Sequence, residues 1–94
     1  MRIAGFIWYS SVVNKLARKH NVQRYEVIEV FANNPNYDYV EDGDYPEENI
    51  YSASGKTDAG RYLIVFFIYK KDRRALILSA RDMTSAERRR YAKT

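Results

Sequence analysis

The chain has no cysteine, so disulfides, thiolate nucleophiles and cysteine-based zinc or iron–sulfur sites are excluded, and the composition suits a reducing cytosol. Histidine occurs once, as His20, which rules out a pair of imidazoles sharing acid and base work. No apolar run is long enough to cross a bilayer: the longest, Tyr62 to Tyr69, falls far short of the ~20 residues required. The opening stretch from Met1 to Phe6 is too short for a signal peptide, and a soluble, cytoplasmic protein is expected. Internal repeats and low-complexity segments are absent.

What is present fits one domain. The chain has 94 residues, 46% of them hydrophobic and 30% charged, enough for a single core spanning residues 1–94 but not for a second. A domain this small buries only about 60–65% of its unfolded surface, so support from a partner or an oligomer is expected. The net charge of +4 is unevenly spread. Six acids and no base lie between Asp38 and Glu48, whereas Lys70 to Lys93 carries nine bases against three acids. Such asymmetry favours association with a polyanion at the basic end. The acids Glu41, Asp42, Asp44, Glu47 and Glu48 match a calcium loop only in density, not in the positions of ligands and glycine; they suit a solvated loop or a contact for a basic partner.

Along the chain, Ser10 or Ser11 is placed to cap a helix from about Ser11 to Lys19, with Val12, Val13, Leu16 and Ala17 on one stripe. Asn21 suits its left-handed close. A second helix is predicted from Gln23 to Ala32 and is stopped by Asn33-Asn34-Pro35. The period then changes to two. Strands are expected over Asn36–Val40, Asn49–Ser54, Tyr62–Tyr69 and Ala75–Ala80, with a turn over Gly55–Gly60. The third of these strands is apolar throughout and should be covered on both faces. Thr84-x-x-Glu87 is a capping box that opens a short final helix. The sum is an α+β fold: two N-terminal helices, a four-stranded antiparallel sheet and a short C-terminal helix.

Taken in order, Trp8, Lys19-His20-Asn21-Val22, Glu29-Val30-Phe31 running to Pro35, Gly55 with Gly60-Arg61, and Ser79-Ala80-Arg81 followed by Glu87-Arg88 and Tyr91 resemble the landmarks of the BrnT-type toxin family over nearly the whole chain. The resemblance implies a RelE-like fold, a ribonuclease that inhibits translation, and a cognate DNA-binding antitoxin that covers the toxin. The chain departs from the family pattern at Tyr9 and Ser10, Val12, Leu16, Asn21 and Ile50. Among these, Val12 stands where the family has a lysine and Ile50 where it has an arginine.

RNA cleavage without a metal needs the 2′-hydroxyl deprotonated, the phosphorane charge held and the 5′-oxygen protonated. His20 is the natural proton carrier; the alternative for it is a place at the helix dipole. A second carrier would be Glu87, Tyr91 or Lys19. Arg61 and Arg81 stand at facing ends of a hairpin and are expected to converge on one phosphate through paired N–H groups; the alternative is bonding to carboxylates such as Glu87. Glu87 has a competing structural role in the capping box. Tyr91 is placed to stack a base or to pack on the sheet. Lys70, Lys71, Arg73, Arg74 and Arg88 would attract phosphate regardless of sequence. The resulting expectation is a metal-independent, cofactor-free endoribonuclease toxin with RNA as substrate and an antitoxin as partner, either as a homodimer or as a heteromer with that antitoxin. The rival is an RNA-binding or partner-binding module that has lost catalysis through changes such as Val12 and Ile50.

Overall fold

The computed structural model describes residues 1–94. Eight elements follow one another: β1 (Gly5–Ile7), α1 (Ser10–His20), α2 (Arg24–Ala32), β2 (Asn36–Glu41), β3 (Ile50–Lys56), β4 (Tyr62–Tyr69), β5 (Arg74–Asp82) and α3 (Ser85–Ala92). Strands β2 to β5 form the expected antiparallel meander, but the sheet has five strands and is mixed, in the order β1-β5-β4-β3-β2. The expected four-stranded antiparallel sheet is corrected by β1, which pairs in parallel with β5 through Gly5–Arg74, Phe6–Ala75 and Ile7–Leu76. Three residues are too few to show a period of two, so the aromatic opening carries no strand signature of its own.

One face of the sheet is the core. Leu63, Val65 and Phe67 of β4, Ala53 of β3 and Ala75, Ile77 and Ala80 of β5 are buried there against Leu16 of α1, Val22, and Val27 and Val30 of α2. Phe31 meets Phe6 and Phe67 edge-on, at centroid distances of 5.1 and 5.2 Å. This clamps β1 and α2 to the middle of the sheet. Helix α1 packs on β5, and α2 on β3 and β4.

Two local expectations are adjusted. Tyr9, in extended conformation, precedes the first turn of α1, which has no side-chain cap; Ser10 lies within the helix. Asn21 closes α1 at φ 51° as expected. Strand β3 runs on through Gly55 to Lys56, so the turn is only Thr57–Gly60, held by Gly60 N–H donating to the Thr57 carbonyl. Gly55 sits inside the strand because a Cβ there would lie 3.2 Å from Val30 Cγ1 and 3.4 Å from Pro35 Cβ, so α2 and its stop press directly on the backbone.

The expectation that β4 is covered on both faces holds for the helix face alone. On the other face Ile64 is buried, but Tyr62, Phe66 and Ile68 are only half-buried. Helix α3 is the one helix on that side, and its eight residues span ~12 Å, too little to roof a five-stranded sheet ~19 Å wide. It buries no residue completely. No helix is long and apolar enough to cross a membrane.

Candidate active site

The open sheet face is organised in rows by the strand register. Arg81 pairs with Ile64, which pairs with Ser54, which pairs with Asn36; one step along, Ser79, Phe66, Ser52 and Asp38 form the next row. Helix α3 lies over these rows, reaching from β5 to β2. It is fastened at one end by Arg81 with Glu87 and at the other by Arg90 with Asp38, 3.6 Å apart, and by Asn36 donating to the Thr94 hydroxyl. Between helix and strands lies a groove of about 690 Å³.

Arg81 is held in a defined orientation. Its Nη1 donates to Glu87 Oε1 at 2.7 Å and to the Asp82 carbonyl at 3.1 Å, and its Nη2 donates to Glu87 Oε2 at 3.0 Å. A guanidinium has five N–H donors, so the Nε–H and the second Nη2–H, which point the same way, have no protein partner. Its carbon lies 5.6 Å from the Phe66 ring centroid. Glu87 also accepts from the Thr84 N–H at 2.8 Å while Thr84 Oγ1 accepts from the Glu87 N–H, completing the capping box read from the sequence. The Arg81 guanidinium, aided by the Thr84 backbone N–H, holds the Glu87 carboxyl down at about 2. Glu87 is therefore held as a carboxylate facing Arg81 at neutral pH. The same pair keeps Arg81 charged by raising its pKa further.

Arg61 is bonded differently. Its Nε and Nη2 donate to the two Asp82 carboxylate oxygens at 2.8 and 3.2 Å, Nη2 also to the His20 carbonyl at 3.0 Å, and Nη1 to the Asn21 carbonyl at 2.6 Å and to Glu26 at 3.2 Å. All its donors are used inside the molecule. The two arginines do not converge on one point: Arg81 shares the open face with Ile64, while Arg61 turns to the helix side, because side chains alternate along β4 and its entry. Asp82 is the link between them. Its carboxylate grips Arg61, which holds its pKa down, and its carbonyl receives Arg81. His20, half-buried at the end of α1, belongs to the Arg61 side of this link through its carbonyl. Lys19 beside it is exposed.

Tyr91 packs edge-on against Tyr62 at 5.9 Å, and the Arg88 guanidinium carbon lies 4.1 Å from the Tyr62 ring centroid, a cation over an aromatic face. Arg81, Glu87, Arg88 and Tyr91 are thus together. Lys70, Lys71, Arg73 and Arg74 are not with them. They occupy the β4–β5 turn at the opposite end of the hairpin, ~20 Å from Arg81 at strand rise. Three of them face carboxylates: Lys70 with Glu48 at 2.9 Å, Lys71 with Glu47 at 2.8 Å and Arg74 with Asp72 at 2.8 Å. The acidic loop folds onto the basic turn, so the separation of charge along the sequence is partly cancelled in space.

Sequence reasoning missed Asp82, the joint between the two arginines, and the row Asp38–Ser52–Phe66. The period-two pattern of β2 and β3 was the available signal, but the register that aligns these rows was not. Val12 and Leu16, two departures from the family pattern, pack into or against the core. No three His, Cys, Asp or Glu side chains converge as a metal site would require.

The family profile described as "Ribonuclease toxin, BrnT, of type II toxin-antitoxin system" matches residues 8–87 of the chain. No curated protein matches it.

Proposed function

The chain belongs to the BrnT family of ribonuclease toxins of type II toxin–antitoxin systems, and from that premise we propose that it is a metal-independent endoribonuclease that cleaves RNA and so inhibits translation in the cytoplasm. The family implies an antitoxin partner; we assign it a DNA-binding antitoxin that covers the open face, and we assign the five-stranded sheet and its helices to a RelE-like architecture. The heteromer with that antitoxin, with the unpaired edge of β2 free to take part, is preferred to a homodimer.

One observation carries the site: Arg81 is fixed end-on by Glu87 and leaves its side-on pair of N–H groups without a protein partner, next to Glu87 and Ile64, which line the groove. A guanidinium so presented fits two phosphate oxygens in parallel and stabilises the charge that grows on a phosphorane without reorganising first. Arg81 is the residue that holds the scissile phosphate, and Glu87 positions it. To His20, at the end of α1 that Arg61 anchors on the other side of Asp82 from Arg81, we assign the proton-carrier role for the 2′-hydroxyl or the 5′-oxygen, which requires the RNA to reach round the end of the sheet. Arg61 acts through that anchoring rather than through substrate. Tyr91 and Tyr62 supply stacking surface, and Arg88 and Lys19 supply phosphate attraction beside the site. Lys70, Lys71, Arg73 and Arg74 would meet only a distant stretch of a long RNA.

The rival reading, a module that binds RNA or a partner but leaves RNA uncut, draws on Val12 and Ile50, which stand where the family pattern has a lysine and an arginine; Val12 packs against the core. Expression in a bacterial host separates the two. The enzyme reading predicts arrest of growth with fragmented cellular RNA, relieved in Arg81→Ala; normal growth at high expression would favour the binding module.

A further inference from the structure

The groove between α3 and strands β2 to β4 has more shape than phosphate binding needs. Across it, the register places Asp38, Ser52 and Phe66 side by side on β2, β3 and β4. Asp38 and Phe66 are therefore two strand spacings apart, ~9.6 Å between backbones, with only a serine between them. The hollow over Ser52 and Ser54 has an apolar wall of Phe66 and Ile64, a carboxylate on the far side and Tyr91 of α3 above it. An aromatic wall and a hydrogen-bonding rim at that spacing suit a flat heterocycle whose plane rests on Phe66 and whose edge meets Asp38.

The rim decides which heterocycle. A carboxylate only accepts, through two oxygens. Of the four RNA bases, guanine alone offers two adjacent donors on one edge, N1–H and the N2 amine; adenine and cytosine set a ring acceptor beside their amine, and uracil offers a single N–H. The one cation near Asp38 is Arg90, 3.6 Å away, and both side chains are largely exposed, at 53% and 79%. Such a pair is weak and screened, so it yields to a base without loss of fold.

We infer that the groove of Asp38, Ser52 and Phe66 is a guanine-reading subsite that sets where the RNA is cut, with Asp38 accepting from N1–H and N2 while Arg81 holds an adjoining phosphate. This rests on the reading of the open face as the RNA-binding face. Asp38 is a specificity-determining residue and takes no part in proton transfer.

The test is titration of the whole protein with the four nucleoside 3′-monophosphates, followed by NMR shifts or calorimetry, for the wild type, Asp38→Asn and Arg81→Ala. Alongside it, cleavage sites are mapped on a mixed-sequence RNA. The subsite predicts that guanosine 3′-monophosphate binds roughly tenfold more tightly than the other three, on the scale of one bidentate base contact. In Asp38→Asn, folded by circular dichroism, the four should bind alike. Arg81→Ala should weaken all four together and leave the ranking intact. Equal binding by the wild type, no binding of any nucleotide, or a guanine preference that survives Asp38→Asn would overturn the subsite. RNA cut with no base preference would remove the subsite and keep the nuclease; guanine-selective binding with RNA left intact would do the reverse.

Discussion

Arg61 and Arg81 are the same residue type at the same end of one hairpin, yet their surroundings give them different work. Arg61 has no donor left over, and its partner Glu26 is 13% exposed. Arg61→Ala would leave that carboxylate without its cation and uncouple α1, α2 and β5, at a cost of about 2–3 kcal/mol, read as a lower urea midpoint. Activity should fall only as far as the folded fraction falls, or as His20 is displaced. Arg81→Ala, at a site 35% exposed, should cost less stability and all the activity. Arg81→Lys should recover little, since a point charge does not reproduce the fork. The Glu87 carboxyl, held at about 2 against an ordinary 4.5, has a depressed folded-state pKa. Its contribution is therefore complete above about pH 4.5 and lost as pH falls toward 2. Allowing for partial exposure, it amounts to about 1–2 kcal/mol. Thermal unfolding between pH 6 and about pH 2 should show that loss, and Glu87→Gln should flatten that part of the profile.

At the scale of elements, Gly55→Ala tests the contact between β3 and the α2–Pro35 stop. Val30 is wholly buried and the proline ring is stiff, so a methyl 3.2 Å from one and 3.4 Å from the other should destabilise by about 1–2 kcal/mol, seen as a lower Tm without loss of secondary structure. Helix α3 tests the reverse. With no residue fully buried and fastenings that are mostly surface ion pairs and ring contacts, its amides should exchange with solvent far faster than those of β4. The elements that announced themselves in the sequence did so through strong periodicity or caps: β4 by an unbroken apolar run, α3 by Thr84 and Glu87, α1 by its stripe and by Asn21. β1 did not, being three residues long and defined by its partner β5 rather than by a pattern of its own. The extension of β3 past Gly55 was hidden for a similar reason: a glycine that signals a turn locally was required by packing from α2, which only the fold brings near.

For the whole molecule, the order of landmarks from Trp8 to Tyr91 carried the family, and the match over residues 8–87 agrees with it. Charge carried less than its distribution suggested. The acids near Glu48 fold back on Lys70 and Lys71, so on the proposed reading the basic surface that meets RNA is that around Arg81 and α3 rather than the whole C-terminal third. The apparent number of phosphates neutralised, read from the slope of binding against log salt, should therefore drop by about one in Arg88→Ala and scarcely change in Lys71→Ala. The convergence of two arginines expected from the hairpin was half right. Their nearness along the sheet was legible, but the side to which each points depends on strand parity at Arg61, outside β4 itself.

The role proposed for Arg81, presented by Glu87, is to hold the scissile phosphate in a cleavage that needs no metal. Its most direct test is end-labelled RNA incubated in EDTA with wild type and with Arg81→Ala shown by circular dichroism to be folded, resolved on a denaturing gel. Discrete cleavage by the wild type and none by the variant is the predicted result; RNA left intact by the wild type, or cut equally by both, would contradict it.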